Sequence, residues 1–193
     1  MKTYVTSDLH FGHKNIHGPD GFVPTRTHFT ATNDMNQALI DAWNAVVHRD
    51  DVVYHLGDLS LHMKKEDILS LVLQLKGTIY LVKGNHDSGR VMRYLERETY
   101  GKVHYIPMGD IVKRNGVQYL LTHYPQGLGE RRKKIKNICG HIHNEVAKDA
   151  NVLNVGVDSP EIPSSTFGSP ILLEDAMDLV DEKHQKYWQT LNQ

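Results

Sequence analysis

The chain has 193 residues, with 22 Lys and Arg against 23 Asp and Glu and a formal net charge of −1. That balance provides no global field to draw the protein onto nucleic acid or an anionic membrane, and the length suits one domain, 1–193, with a substantial core. Its single cysteine, Cys139, excludes an intramolecular disulfide and a thiolate zinc cage, whereas its 13 histidines invite metal or proton-transfer chemistry. No stretch approaches the ~20 apolar residues of a membrane span. The N-terminus runs into a strand pattern with no signal peptide, so a cytoplasmic protein is expected.

Residues 2–7 read as a first strand ending at Asp8, followed by an irregular loop with Gly18, Pro19, Gly21 and Pro24 that could wall a site. A helix is expected from about Asn33, with Thr32 as its N-cap. Met35, Ala38, Leu39, Ala42, Trp43, Val46 and Val47 form its core-facing stripe. Residues 51–56 make a second strand running into Gly57-Asp58. A helix over 65–75 carries Ile68, Leu71, Val72 and Leu75 on one face, and Gly77 stops it. The third strand, 78–82, leads to Gly84-Asn85-His86-Asp87, and Ser88 caps a helix with Val91, Met92 and Leu95.

Asn115-Gly116, flanked by 109–114 and 117–122, is a two-residue hairpin signal. The second arm ends at His123, and a basic loop with Arg131-Arg132-Lys133-Lys134 and Lys136 follows. Short strands near 137–139 and 151–155 lead to Gly140-His141-Ile142-His143 and Gly156-Val157-Asp158. A final helix from about 172 uses Ala176, Met177 and Val180. Strand–helix alternation in the first half and mainly hairpins in the second suggest helices outside a mixed sheet or a pair of stacked sheets.

Five of these strands end in chemically loaded loops: Asp8-Leu9-His10, Gly57-Asp58, Gly84 to Asp87, His123, and Gly140 to His143. Ligands in open α/β sheets bind beyond the carboxyl ends of strands, so these side chains would meet at one rim. Mixed oxygen and imidazole donors suit Mn, Fe, Zn, Ni or Co, and not a calcium cage. The inventory exceeds one ion's need and suits two ions sharing a carboxylate.

The order D-x-H, G-D, G-N-H-D, H, G-H-x-H resembles the calcineurin-like metallophosphoesterase superfamily over residues 3–158. The stretch from Thr6 to Asn15, with Leu121 to Pro125, is most similar to small bacterial and phage-encoded predicted phosphoesterases. The resemblance implies an α/β (α+β) fold, a four-layer α/β/β/α sandwich, with a dinuclear metal centre. It implies that Asp8, His10 and His143 bind one metal, that Asn85, His123 and His141 bind the other, and that Asp58 bridges them. A hydroxide activated by both metals would attack a phosphodiester or phosphomonoester, with His86 as general acid. Leu59-Ser60-Leu61-His62 follows the bridging Asp where the superfamily's Ser/Thr protein phosphatases carry a second Asp and an Arg, which argues against that activity.

His13, Asn15 and Arg26 are substrate-contact candidates, Arg26 from the 17–31 loop over the site. The basic run at 131–136 reads either as a grip for a polyanion or as a solvated face. The expected partner is a small, nucleotide-like phosphate ester, with no membrane and no extended nucleic acid. A nuclease acting on short nucleic acid, and an inactive scaffold of the same fold, are the competing readings.

Overall fold

The computed structural model describes residues 1–129, 131–163 and 167–191. Among these residues nine strands form two sheets, with four α-helices. The first sheet has the order β4-β3-β2-β1-β9. Its central strands are β1 (Thr3–Thr6), β2 (Val52–His55) and β3 (Thr78–Val82), flanked by β4 (Val103–Ile106) and a two-residue β9 (Ile171–Leu172). β1 to β4 are parallel, with Thr3 opposite Val52 and Val52 opposite Thr78; β9 is antiparallel to β1. The second sheet runs β5-β6-β7-β8: Asp110–Arg114, Val117–Leu121, Ile135–Cys139 and Val152–Asn154.

Side chains alternate across each strand, and this sorts the apolar residues into two layers. Tyr4, Val53, Ile79, Leu81 and Val103 face α1 (Thr32–Val46), α2 (Lys65–Val72) and α3 (Gly89–Glu98), meeting Met35, Leu39, Trp43, Ile68, Met92 and Leu95. Val5, Leu56 and Val82 face the other way and pack against Tyr119, Leu121, Ile138 and Leu153 of the second sheet. The helix α4 (Leu173–Leu191) lies along β7 and β8 and leans on β1 and β9, so that Leu173, Ala176, Met177 and Val180 join the inter-sheet layer. Three helices on one face of the first sheet, the second sheet on its other face and α4 against both sheets make a mixed α/β fold. No helix among the described residues is long and apolar enough to cross a membrane.

Several local expectations change. The α1 N-cap is Ala31, and Thr32 instead gives its hydroxyl to His17 Nε2 at 2.9 Å. Ser88 occupies the N-cap of α3 but makes no side-chain cap bond. α2 ends at Val72, short of Gly77, because residues 73–77 turn back to place the Lys76 carbonyl on Trp43 Nε1 at 2.9 Å. The second half holds one hairpin, β5–β6, among the described residues, while β6, β7 and β8 are mutually parallel. The connections 122–134 and 140–151 are long enough for parallel crossovers, which need about a dozen residues or more.

Candidate metal centre

Parallel pairing delivers the chemistry to one edge. β1, β2 and β3 run the same way, so Asp8, Asp58 and Asn85 leave the first sheet side by side. β6 and β7 are likewise parallel and release His123 and His141 together. The sheets are tied at this edge by a bridge between Ser7 and Gly156, where the Val157 N–H donates to the Ser7 carbonyl at 3.1 Å.

Two groups of side chains result. Asp8, His10 and His143 offer ligand atoms that all lie within 4.8 Å of one another, and so do Asp58, His123 and His141. Asp58 Oδ2 stands 3.5 Å from Nε2 of His10 in the first group and 3.5 Å from Nε2 of His123 in the second. Asn85 Oδ1 approaches the same His123 nitrogen at 2.8 Å. His123 Nδ1 lies 2.8 Å from the Leu56 carbonyl, which can only accept, so Nδ1 carries the proton and Nε2 faces the group.

These residues fit a pair of cations. Asp8 Oδ1, both ring nitrogens of His10, and His143 Nδ1 are buried without a hydrogen-bond partner. A buried polar group left this way costs about 1–3 kcal/mol, and a cation among them would satisfy the Asp8 oxygen, the His143 nitrogen and one of the two His10 nitrogens. Burial pushes the Asp8 carboxyl up to about 7. Burial likewise lowers the pKa values of His10, His141 and His143, favouring the neutral imidazole that binds metal. Burial opposes charge on Asp58 and His123 too, yet each holds the other's charge: Asp58 sits below its ordinary value and His123 above.

The backbone is bent to achieve this. Asp8, His10, Asp58, His141 and His143 all have left-handed φ, from 46° to 73°, each at a cost of roughly 1–3 kcal/mol. Two glycines admit the carboxylates: a Cβ at Gly84 would run into Asp58 Oδ1, and one at Gly140 into Ser7 Oγ and Asp8 Oδ2. Asp87 braces the loop, since its Oδ2 accepts from the N–H groups of Asp58 (2.8 Å) and Gly84 (2.9 Å) and its Oδ1 from that of Leu59 (3.1 Å).

His86 stands at the mouth. Its N–H donates to Asp58 Oδ1 at 2.9 Å, its Nε2 is 4.0 Å from Asp58 Oδ2, and its side chain is 40% exposed. The His13 ring lies 5.4 Å from that of His10, which brings His13 to the first group. Asn15 is exposed and has no hydrogen bond to either group among the described residues.

Arg26 is a correction. Its side chain is 0% exposed, so it cannot touch a substrate. Its guanidinium donates to both Asp158 oxygens, at 2.6–3.1 Å, and to the carbonyls of Asp8 (2.7 Å) and Leu9 (2.9 Å). It fixes the backbone behind the first group. The basic run is also away from the centre. Arg131 to Lys134 precede β7, whose opposite end carries His141, about 17 Å of strand away. Lys136 is buried against Asn151 Oδ1 at 2.7 Å.

Three residues escaped sequence reasoning in the roles they occupy. Asp158 was visible only as the end of a Gly-x-Asp after a strand. Phe22, in the 17–31 loop, lies 5.5 Å from the His13 ring and 6.0 Å from that of His143. Tyr124 lies 5.0 Å from the His123 ring and 4.7 Å from that of His141.

Known proteins resemble this chain in sequence and in fold. The model of the calcineurin-like phosphoesterase superfamily domain matches residues 1–169. An uncharacterised protein of Methanocaldococcus jannaschii is 33% identical over 126 residues, 64% of this chain and 59% of its own length. The chain thus spans under two thirds of that relative. The gene 66 protein of Mycobacterium phage L5 is 25% identical over 215 aligned positions, covering 95% of this chain and 96% of its own. Among solved structures, a protein of unknown function from Aquifex aeolicus shares the fold with a TM-score of 0.65 at 23% identity, covering 92% of this chain and 98% of that one.

Proposed function

The chain belongs to the calcineurin-like phosphoesterase superfamily, and from that premise we propose that it is a metal-dependent phosphohydrolase acting on a small, nucleotide-like phosphodiester or phosphomonoester. The observation that carries the reading is the Asp58 carboxylate, one oxygen of which stands 3.5 Å from a histidine of each group. In this reading Asp8, His10 and His143 hold one divalent ion and Asn85, His123 and His141 another, with Asp58 shared between them. Donors of this kind take Mn, Fe, Zn, Ni or Co.

Such ions, when bound, neutralise phosphate charge and lower the pKa of a coordinated water. The chain's own residues do the rest. Asp87 holds the backbone at Asp58, Gly84 and Gly140 leave room for the carboxylates of Asp58 and Asp8, and the left-handed residues aim their side chains before substrate arrives, which is how preorganisation lowers a barrier. His86, half-exposed at the mouth and tied to Asp58 through its backbone, gives a proton to the departing oxygen. His13 sits beside the first group, where it can meet a phosphate oxygen. The same reading takes 1–193 as one domain, working in the cytoplasm. Retention of His86 together with every ligand weighs against an inactive scaffold.

The test is hydrolysis by purified protein of a chromogenic diester, bis(p-nitrophenyl) phosphate, and of its monoester. Turnover of at least one is expected with manganese, abolished by chelator and restored by added metal. No turnover of either, with any of the five metals, would contradict an enzymatic role.

A further inference from the structure

Three Phe, Tyr or Trp rings are exposed among the described residues, Phe22, Tyr100 and Tyr124, and two of them abut the centre. Phe22 is 56% exposed, and its ring neighbours among the described residues are histidines of the first side, His13 and His143. Tyr124 is 46% exposed, and its ring neighbours among the described residues are His123 and His141 of the second. The rings therefore flank the two halves separately. Their interplanar angles to these histidines run from 56° to 89°, so no parallel stack occupies them.

Both rings are held on braced backbone. Phe22 precedes Val23, which is wholly buried, and its loop is pinned by Arg26 on Asp158 and by His17 Nδ1, 3.2 Å from the Phe29 carbonyl. Tyr124 follows the buried His123, and its carbonyl accepts from Thr122 Oγ1 at 2.8 Å. An apolar face kept in water beside a phosphate site by a rigid loop serves no packing purpose here. A flat partner that arrives with the phosphate would cover it.

We propose that Phe22 and Tyr124 are specificity-determining residues, each placed to stack on a planar ring that the substrate carries on that side of its phosphate, so that a nucleotide is preferred over a sugar or alkyl phosphate. The proposal rests on the phosphohydrolase reading above and names its substrate class. Stacking tolerates any base, since every base has a π face. Binding therefore depends on the presence of a base more than on its identity.

The test is calorimetric titration of the manganese-loaded protein with AMP and with ribose 5-phosphate, in which a hydroxyl replaces the base. The wild type should bind AMP at least about tenfold more tightly, the range expected for one stacked base. The double variant Phe22→Ala/Tyr124→Ala should reduce that ratio to about threefold or less, while its affinity for ribose 5-phosphate stays within about twofold of wild type. Phe22→Tyr with Tyr124→Phe should restore the preference, which loss of loop structure would not allow. Equal wild-type affinity for the two ligands overturns the proposal and leaves the phosphate site standing. Equal weakening of both ligands in the double variant also overturns it. Binding of neither ligand overturns this proposal, while the phosphohydrolase reading is decided by the turnover assay with the chromogenic esters.

Discussion

At the scale of single residues, the centre separates groups that do chemistry from groups that hold them. His86 is proposed as proton donor and not as ligand, so His86→Ala should lower turnover by about 10²–10⁴ with metal content unchanged by elemental analysis. Asp58→Asn should lose both. Arg26 belongs to the second kind. Its ion pair with Asp158 is fully buried, and breaking such a pair by removing one partner costs about 3–5 kcal/mol. Arg26→Ala should lower the urea midpoint accordingly, and Arg26→Lys should not rescue it, because one ammonium cannot serve a carboxylate and two carbonyls in that fork. An unchanged midpoint in Arg26→Ala would show that the pair carries no such weight. The proposed ligands were legible in sequence because each follows directly on a strand and has the right chemical type. Arg26 was misread for the opposite reason. A lone cation in a loop looks like a surface group, and its carboxylate partner lies 132 positions away.

At the scale of elements, strands and helices with a clear apolar period were readable, including the hairpin at Asn115-Gly116, where both residues take positive φ (51° and 78°). β4 and β9 were not. Val103-His104-Tyr105-Ile106 has polar interruptions, and Ile171-Leu172 is too short to show any period. Both are secured by pairing with distant strands, which local pattern does not encode. The parallel arrangement of β6 to β8 was hidden likewise, since connection length permits a crossover without requiring one. The close approach of the G-N-H-D loop to the G-D loop makes an element-scale prediction. Gly84→Ala places a Cβ against Asp58 Oδ1 and N. It should therefore cut manganese uptake and turnover while leaving the far-ultraviolet circular dichroism spectrum unchanged. Trp43→Ala should do the reverse. It empties a wholly buried site in the helix layer, which costs about 3–5 kcal/mol, but it should spare turnover of the protein that remains folded.

At the scale of the whole molecule, the two sheets meet at the edge where their parallel strands end, and all the proposed ligands gather there. The basic run lies beyond the other end of β7. Reversing its charge, with Arg131→Glu and Lys133→Glu, should leave KM for a nucleotide substrate within about twofold of wild type, since surface charges well over a Debye length apart are screened. A large rise in KM would bring that run back as a substrate grip. With a net charge of −1, turnover of a small ester should also depend little on ionic strength. What the chain does depends on whether two cations settle at that meeting of sheets. The most direct measurement is equilibrium dialysis against manganese followed by elemental analysis of wild type, His10→Ala and His123→Ala. The paired-site assignment predicts about two ions per chain in the wild type and about one in each variant. A wild type that retains no metal, or variants that retain as much as the wild type, would contradict it.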